Sequence, residues 1–60
     1  MGYSKDFAIN LANERANKLG LKYYVIHAPK DYREIFENTG FIVEQTVNEN
    51  EKASVIYETD

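Results

Sequence analysis

The sequence contains no cysteine and no tryptophan, and it has one proline, one histidine and three glycines. Without cysteine, neither a disulfide bond nor a thiolate metal site can stabilise the fold. A single histidine cannot form a zinc site unless several carboxylates join it, so we expect no metal. For a chain of 60 residues, self-association is the remaining way to gain stability.

Long apolar runs are also missing. No stretch approaches the roughly 20 consecutive apolar residues that a membrane-spanning helix needs. The N-terminal residues MGYSKDFAIN lack a basic region followed by an apolar run, as a secretory signal would have. The sequence therefore predicts a soluble, cytoplasmic protein that folds as one domain over residues 1–60.

Charge is distributed unevenly along the chain. Residues 1–30 contain five Lys or Arg against two Asp or Glu, whereas residues 31–60 contain two against eight, so the second half carries the acidic excess. Phosphate contacts require lysine and arginine, so this half disfavours a nucleic acid and favours a basic protein. A solvated acidic surface without a partner would have the same composition.

Apolar periodicity and capping residues predict the first two elements. A helix begins after Ser4, a good N-cap, and ends at Gly20, because glycine favours the left-handed conformation that stops a helix. LKYYVIH, residues 21–27, is rich in β-branched and aromatic residues and too short for a helix. It therefore predicts a strand.

A short second helix is predicted from Asp31 to the Asn38-Thr39-Gly40 ending. Glu34 follows three residues after Asp31, as in a capping box. At 100° per residue, apolar side chains fall on one side of this helix and carboxylates on the other. The apolar side consists of Tyr32, Ile35 and Phe36, and the acidic side consists of Asp31, Glu34 and Glu37. We expect the apolar side to pack against the fold and the acidic side to face solvent.

Two further strands are predicted, FIVEQTV at residues 41–47 and ASVIYET at residues 53–59, joined by the polar loop NENEK. Such a loop is typical of a β-hairpin. Strand alternation gives the hairpin an apolar face and a mixed face. The apolar face consists of Phe41, Val43, Val47, Val55 and Tyr57, and the mixed face of Ile42, Glu44, Thr46, Ser54, Ile56 and Glu58. The predicted fold is α/β (α+β) in the order α-β-α-β-β, with a small mixed three-stranded sheet packed by two helices.

Two isoleucines on the mixed face predict self-association. A chain of this length buries only about 60% of its unfolded surface, so a monomer is marginally stable. Pairing of edge strands, or packing of two mixed faces about a two-fold axis, would cover the apolar side chains on that face. We therefore expect a homodimer with Ile42 and Ile56 at its interface.

The element order and the segment YREIFENTGF, residues 32–41, resemble the C-terminal half of the GNAT acetyltransferases. Phe36 and Gly40-Phe41 occur at the spacing of that family's Y-x-x-x-G-F ending. ANERANKLGLKYYVIHA is similar to the family's alanine-rich helix and following strand. The resemblance covers nearly the whole chain and implies a half-GNAT-like fold.

The parts of the family that carry its chemistry have no counterpart here. Its loop for the pyrophosphate of acetyl-coenzyme A would precede Ser4, where Gly2 is the single glycine. Its proton-donating tyrosine corresponds to Phe36 and its helix-start asparagine to Pro29, and its N-terminal half has no equivalent. We therefore expect no enzyme activity, no catalytic residue and no cofactor. His27, the obvious acid/base candidate, is more typical of a structural residue at a strand end.

The acidic surface is the functional feature that remains. In size and charge the chain is similar to small host-takeover proteins of bacteriophages, which suggests a bacterial or phage-infected host cell. We expect an inhibitor that mimics DNA and binds a basic host protein, with a histone-like nucleoid protein as the first candidate, and that binds neither nucleic acid nor membranes directly. The predicted partner-binding residues are Asp31, Glu34, Glu37, Glu44, Glu49, Glu51, Glu58 and Asp60.

Two other functions stay open. A vestigial or partial GNAT-type acyltransferase would bind coenzyme A and could be completed in a dimer. A small structural domain or a toxin-antitoxin component would have the same composition.

Overall fold

The computed structural model describes residues 2–59. The elements follow in the order α1 (Lys5–Leu19), β1 (Tyr24–His27), α2 (Tyr32–Phe36), β2 (Phe41–Glu44), a 3-10 helix (Lys52–Ser54) and β3 (Val55–Glu58). This order confirms the predicted α-β-α-β-β arrangement of a small α+β fold. Among these residues, no helix combines the length and the apolar character needed to cross a membrane.

α1 begins and ends at the predicted caps. The Ser4 hydroxyl oxygen accepts a hydrogen bond from the Phe7 N–H at 3.4 Å, which satisfies one free donor of the first turn. Gly20 has a φ of 68°, and its N–H donates to the Ala16 carbonyl at 2.8 Å. This left-handed cap stops the helix where glycine occurs.

The three strands form one sheet in the order β2-β1-β3, and both pairings are antiparallel. The sequence predicts a mixed sheet, whereas the sheet contains no parallel pair among residues 2–59. The register pairs Tyr24 with Glu44, Val25 with Val43, Ile26 with Ile42 and His27 with Phe41 on one side of β1. On the other side it pairs Tyr24 with Glu58, Val25 with Tyr57 and, after a bulge, Ile26 with Val55.

The predicted hairpin between the last two strands is wrong, because β1 lies between them. β2 and β3 both run antiparallel to β1, so residues 45–54 form a crossover instead of a tight turn. Burial explains the order, since Val25 and Ile26 are both buried and a central strand is covered along both edges. The 3-10 helix includes residues 53 and 54 of the predicted third strand, and residues 45–47 of the predicted second strand lie in the crossover, so both strands are shorter than predicted.

The core lies between α1 and one face of the sheet. Ala8 and Ala12 are fully buried and pack with Tyr23, Val25 and Phe41. Because the two alanines are small and four residues apart, this side of the helix can lie close to the sheet. Four partly buried residues pack around this cluster: Ile9, Ala16, Val43 and Tyr57.

The core confirms part of the predicted apolar face. Phe41, Val43 and Tyr57 pack towards α1 as expected. Val55 does not, because the bulge places it opposite Ile26, whose side chain points away from α1. The fifth member, Val47, lies outside the strands in the crossover.

Both ends of the described chain are attached to the sheet. Tyr3 and Phe41 exchange two backbone hydrogen bonds of 3.0 and 3.1 Å, which covers the outer edge of β2 at its first residue. At the other end, the Thr59 N–H donates to the Tyr23 carbonyl at 3.0 Å and the Thr59 hydroxyl accepts from the Tyr23 N–H at 2.9 Å. These bonds satisfy backbone groups beside the core.

Candidate protein-binding surfaces

α2 turns a carboxylate inward and its apolar side chains outward. Glu34 is 5% exposed, whereas Tyr32 is 80%, Phe36 83% and Ile35 52% exposed. The prediction that the apolar side of this helix packs against the fold is therefore wrong. The sequence predicts Glu34 as part of a solvent-exposed acidic surface. Because Glu34 is buried, this prediction is wrong as well.

Backbone donors explain why Glu34 points inward. Its carboxylate accepts hydrogen bonds from the Gly2 N–H, at 3.2 Å, and from the Lys30 N–H. The Asp31 carboxylate accepts from the Glu34 N–H at 3.1 Å, which confirms the predicted N-cap. An apolar side chain in place of Glu34 would leave both donors without this acceptor, and such groups are costly in partly buried surroundings.

The turn from α2 into β2 is packed closely around Glu34. Gly40 has a φ of 86°, and a Cβ on it would lie 2.8 Å from Pro29 Cα and 3.1 Å from Glu34 Oε2. The Thr39 N–H donates to the Glu34 carbonyl at 2.8 Å. A side chain at position 40 would therefore clash and strain the backbone. This local packing accounts physically for the Gly-Phe ending of the helix.

The outward side chains of α2 form a surface that we name the α2 ridge, consisting of Tyr32, Ile35 and Phe36. Residues three and four positions apart are neighbours on a helix, so the three side chains are contiguous. A hollow of about 330 Å³ adjoins the ridge and is lined by Pro29, Lys30, Asp31, Tyr32 and Ile35. Contiguous exposed apolar side chains are typical of interaction sites.

Charged side chains border the α2 ridge. Asp31 precedes it and Glu37 follows it, and both are exposed. Lys30 and Arg33 are the exposed cations nearest to them in sequence. The ridge therefore combines aromatic rings with a carboxylate at each end.

Glu44 and Glu58 lie on the two edge strands of the sheet, on either side of β1. Both lie opposite Tyr24, so the three residues form one row across the sheet, on the face away from α1. We call this the second face. Glu58 forms an ion pair with Lys22 at 3.4 Å, and Lys22 Nζ also lies 5.6 Å from the centre of the Tyr24 ring. The row thus has a carboxylate at each end, one of them paired with a lysine.

The remaining predicted carboxylates lie in or beyond the crossover. Glu49 is exposed. The Glu51 carboxylate accepts from the Asn48 N–H at 3.3 Å, and the Asn48 side-chain oxygen accepts from the Glu51 N–H at 3.1 Å, a reciprocal cap just before the 3-10 helix. Asp60 lies outside the described residues. Within residues 2–59 the predicted acidic surface is therefore divided among α2, the second face and the crossover.

The two residues predicted at a dimer interface flank β1. Ile42 lies opposite Ile26 on the second face, and Ile56 occupies the bulge beside Val55 with 41% of its surface exposed. A groove of about 620 Å³ runs along β3. Its lining consists of Tyr24, Val55, Ile56, Tyr57 and Glu58 from the strands and Val47 and Lys52 from the crossover, and all of the strand residues except Tyr57 belong to the second face.

His27 makes contacts of a structural kind. Its Nε2 lies 3.2 Å from the Thr39 carbonyl oxygen, and its ring stacks on Phe41 at a centroid distance of 4.2 Å. Both contacts hold the start of β2 against β1. Over the described part of the chain, no three His, Asp or Glu side chains are grouped in a way that could hold a metal ion.

No protein-family model, no curated protein and no solved structure matches this chain. The resemblance to the GNAT acetyltransferases therefore stays a sequence-based prediction. The function has to be inferred from the surfaces themselves.

Sequence reasoning missed the α2 ridge, although one signal pointed to it. In a capping box, the glutamate three residues after the N-cap turns back towards the backbone at the helix start. Glu34 makes this kind of contact with the Lys30 N–H, so it cannot also face solvent beside Glu37. Turning the helix to bring Glu34 inward exposes Tyr32 and Phe36.

Proposed function

We propose that this chain is a non-enzymatic binding protein that contacts a basic protein through the α2 ridge. The observation that carries the proposal is the 80% and 83% exposure of Tyr32 and Phe36 on a helix whose inward side chain is a carboxylate. A contiguous exposed apolar surface is informative in a way that a single exposed apolar residue is not. Tyrosine and phenylalanine are also enriched at protein interfaces.

Burial of the two rings would supply much of the binding free energy. Covering one large apolar side chain is worth about 1.5–3 kcal/mol. Two such side chains correspond to at least about a hundredfold in Kd. The hollow beside Tyr32 and Ile35 offers space for a side chain of the partner. The Tyr32 ring could therefore insert into the partner while a side chain of the partner fills the hollow.

The carboxylates favour a basic partner. Asp31 and Glu37 lie at the two ends of the α2 ridge, and residues 31–60 contain eight acidic residues against two basic ones. The field of such a segment attracts positively charged surfaces and repels nucleic acid. Electrostatic attraction of this kind raises the association rate and the specificity more than the final affinity.

A DNA-binding host protein is the partner class to test first. Its basic surface accommodates a polyanion, and its affinity for DNA depends strongly on electrostatics. An acidic protein that occupies this surface would compete with DNA and act as an inhibitor by mimicry. A histone-like nucleoid protein is the first candidate. Because Glu34 is buried, we assign the acidic contacts to Asp31 and Glu37 and the apolar contacts to Tyr32 and Phe36.

Capture from a bacterial lysate tests this proposal. The tagged protein is loaded at low salt, eluted with a salt gradient, and its bound proteins are identified by mass spectrometry. Binding of the identified protein is then measured by calorimetry with and without duplex DNA. We expect a basic, DNA-binding protein that is released by salt and displaced by duplex. A partner that duplex does not displace would contradict the DNA-mimic form of the proposal.

Four variants test whether the α2 ridge is the contact surface. Phe36→Ala and Glu37→Lys should each weaken binding about tenfold or more, because they remove an anchor and reverse a bordering charge. Leu21→Ala and Glu14→Lys are matched controls on exposed residues outside the ridge and outside the acidic segment 31–60, and they should bind like the parent. Equal binding by Phe36→Ala and the parent would rule out the ridge.

Titration with acetyl-coenzyme A tests the acyltransferase alternative. If the protein is non-enzymatic, calorimetry should show no measurable heat of binding at micromolar concentrations of acetyl-coenzyme A. Binding at micromolar affinity or tighter would favour a partial GNAT-type enzyme and would contradict the proposal above.

A further inference from the structure

The second face of the sheet is more apolar than a solvent-facing sheet surface normally is. An antiparallel sheet with one solvated face usually carries polar side chains there. Here Ile42, Ile26 and Val55 lie side by side across the three strands, and Ile56 adjoins them with 41% of its surface exposed. α1 packs on the opposite face, and the fold is only 14 Å thick in its thinnest direction. Ile26 in the middle of this row is already buried, whereas Ile42 and Val55 are partly buried, so a third layer would cover Ile42, Val55 and Ile56.

We propose that a second copy of this chain packs against the groove on the second face, about a two-fold axis that passes near Ile56. The inference is independent of the function proposed for the α2 ridge, because the groove and the ridge share no residue. In such an isologous interface the same residues of both copies meet, and Ile56 of each protomer would be covered by the other.

Charge complementarity supports a second copy as the occupant. Lys52 and Glu58 both line the groove on opposite sides of Ile56 along the chain, and Glu58 also pairs with Lys22 of its own protomer at 3.4 Å. A two-fold axis near Ile56 therefore brings Lys52 of one protomer towards the partner subunit's Glu58, and the reverse contact follows by symmetry. A groove lined by both signs of charge around an apolar centre is complementary to itself.

The interface would be extensive for a fold of this size. A stable interface buries about 800 Å² per protomer. The Cα positions extend over 34 × 24 Å in the two longer directions, so the second copy would have to cover most of one broad side of the molecule. The outer edge of β3 is a poorer candidate, since a bulge at Ile56 and the charge of Glu58 are devices that discourage edge pairing.

Sedimentation equilibrium from micromolar to hundreds of micromolar concentrations tests the proposal, with circular dichroism to verify folding. We expect a concentration-dependent dimer for the parent chain. Ile56→Glu should weaken dimerisation at least about tenfold, because it places a charge at the centre of the interface. Leu21→Glu, at a residue 49% exposed and outside the groove, is the matched control and should dimerise like the parent.

A charge exchange tests the two-fold geometry without changing the apolar centre. Lys52→Glu and Glu58→Lys should each weaken the dimer several-fold, because each places like charges opposite one another. Glu58→Lys also breaks the ion pair with Lys22 of its own protomer, so Lys22→Gln is measured beside it and should dimerise like the parent. The double variant should recover most of the loss, whereas residues that are far apart and share no partner give additive effects. Both residues are exposed, so these variants are expected to fold.

Three outcomes would overturn the proposal. The first is a monomeric mass for the parent at every concentration. The second is an Ile56→Glu variant that dimerises like the parent, which would place the interface elsewhere. The third is additive loss in the double charge variant, since additivity means that Lys52 and Glu58 do not meet.

Discussion

At the scale of the residue, Glu34 connects parts of the chain that are distant in sequence. Its carboxylate accepts from the Gly2 N–H, 32 residues away, and from the Lys30 N–H before α2. Its carbonyl accepts from the Thr39 N–H after the helix. A buried carboxylate is stable only when hydrogen bonds replace the lost water, and these donors provide such bonds. Glu34 thereby sets the rotation of α2 and the exposure of its aromatic rings.

Replacing Glu34 with glutamine should destabilise the fold. The side chain keeps its size, but its NH₂ group would face a backbone donor that now bonds to a carboxylate oxygen. We expect the free energy of unfolding to fall by about 1–3 kcal/mol. Urea denaturation at a fixed protein concentration measures this as a lower midpoint at an unchanged m-value. Glu37→Gln, at the exposed neighbour one turn on, is the control, and equal midpoints for the two variants would contradict the role of Glu34.

The structural roles of single residues were predictable from the sequence where they depend on nearby residues. Ser4, Gly20 and Asp31 act as the caps that the sequence predicts, because a cap bonds to groups within four residues of itself. The inward position of Glu34 was not predictable from helical periodicity. It depends on Gly2, which a periodicity argument over the helix alone does not include.

At the scale of the element, the sequence predicts which segments are helices and which are strands. It does not predict which strands lie next to each other in the sheet. The alternation of side chains indicates which face of a strand is apolar, and Phe41, Val43 and Tyr57 follow it. It does not say which strand lies alongside. The polar residues 45–54 suit a hairpin loop and a crossover equally well, and the choice depends on the burial of Val25 and Ile26. The bulge that moves Val55 to the second face has no local signal.

The strand order predicts a pattern of amide hydrogen exchange. Val25 and Ile26 lie in the central strand, so their amides should exchange at a rate close to that of global unfolding. Thr59 points its N–H towards β1, so the adjacent Glu58 on the edge strand points its N–H outward, since alternate strand residues face opposite ways. We expect the Glu58 amide to exchange at least about tenfold faster than those of β1.

Nuclear Overhauser effects check the same strand order independently. Contacts of Tyr24 with both Glu44 and Glu58 are expected from the register. Direct backbone contacts between β2 and β3, together with fast exchange in β1, would contradict the central position of β1 and restore the hairpin.

At the scale of the whole molecule, the fold has little apolar core of its own. Among residues 2–59, six hydrophobic residues are buried, two of them alanines: Ala8, Ala12, Tyr23, Val25, Ile26 and Phe41. Small domains bury a low fraction of their surface and are marginally stable for that reason. A dimer through the second face would add apolar burial where the monomer lacks it. It would also present two α2 ridges in one assembly, which strengthens binding to a multivalent partner.

If the dimer contributes to stability, the melting temperature must depend on protein concentration. Folded dimers unfold to separate chains, so mass action favours the folded state as concentration rises. A tenfold increase in protein concentration stabilises the folded dimer by about 0.7 kcal/mol per protomer. For a domain of this size, this raises the melting temperature by roughly 3–5 °C. Thermal unfolding followed by circular dichroism at three concentrations measures this slope. Ile56→Glu should melt below the parent and should lose the slope at concentrations where it is monomeric, whereas Leu21→Glu should keep the slope. A parent chain without any slope would mean that α1 and the sheet suffice for stability, and that the apolar second face is covered by something other than a second copy.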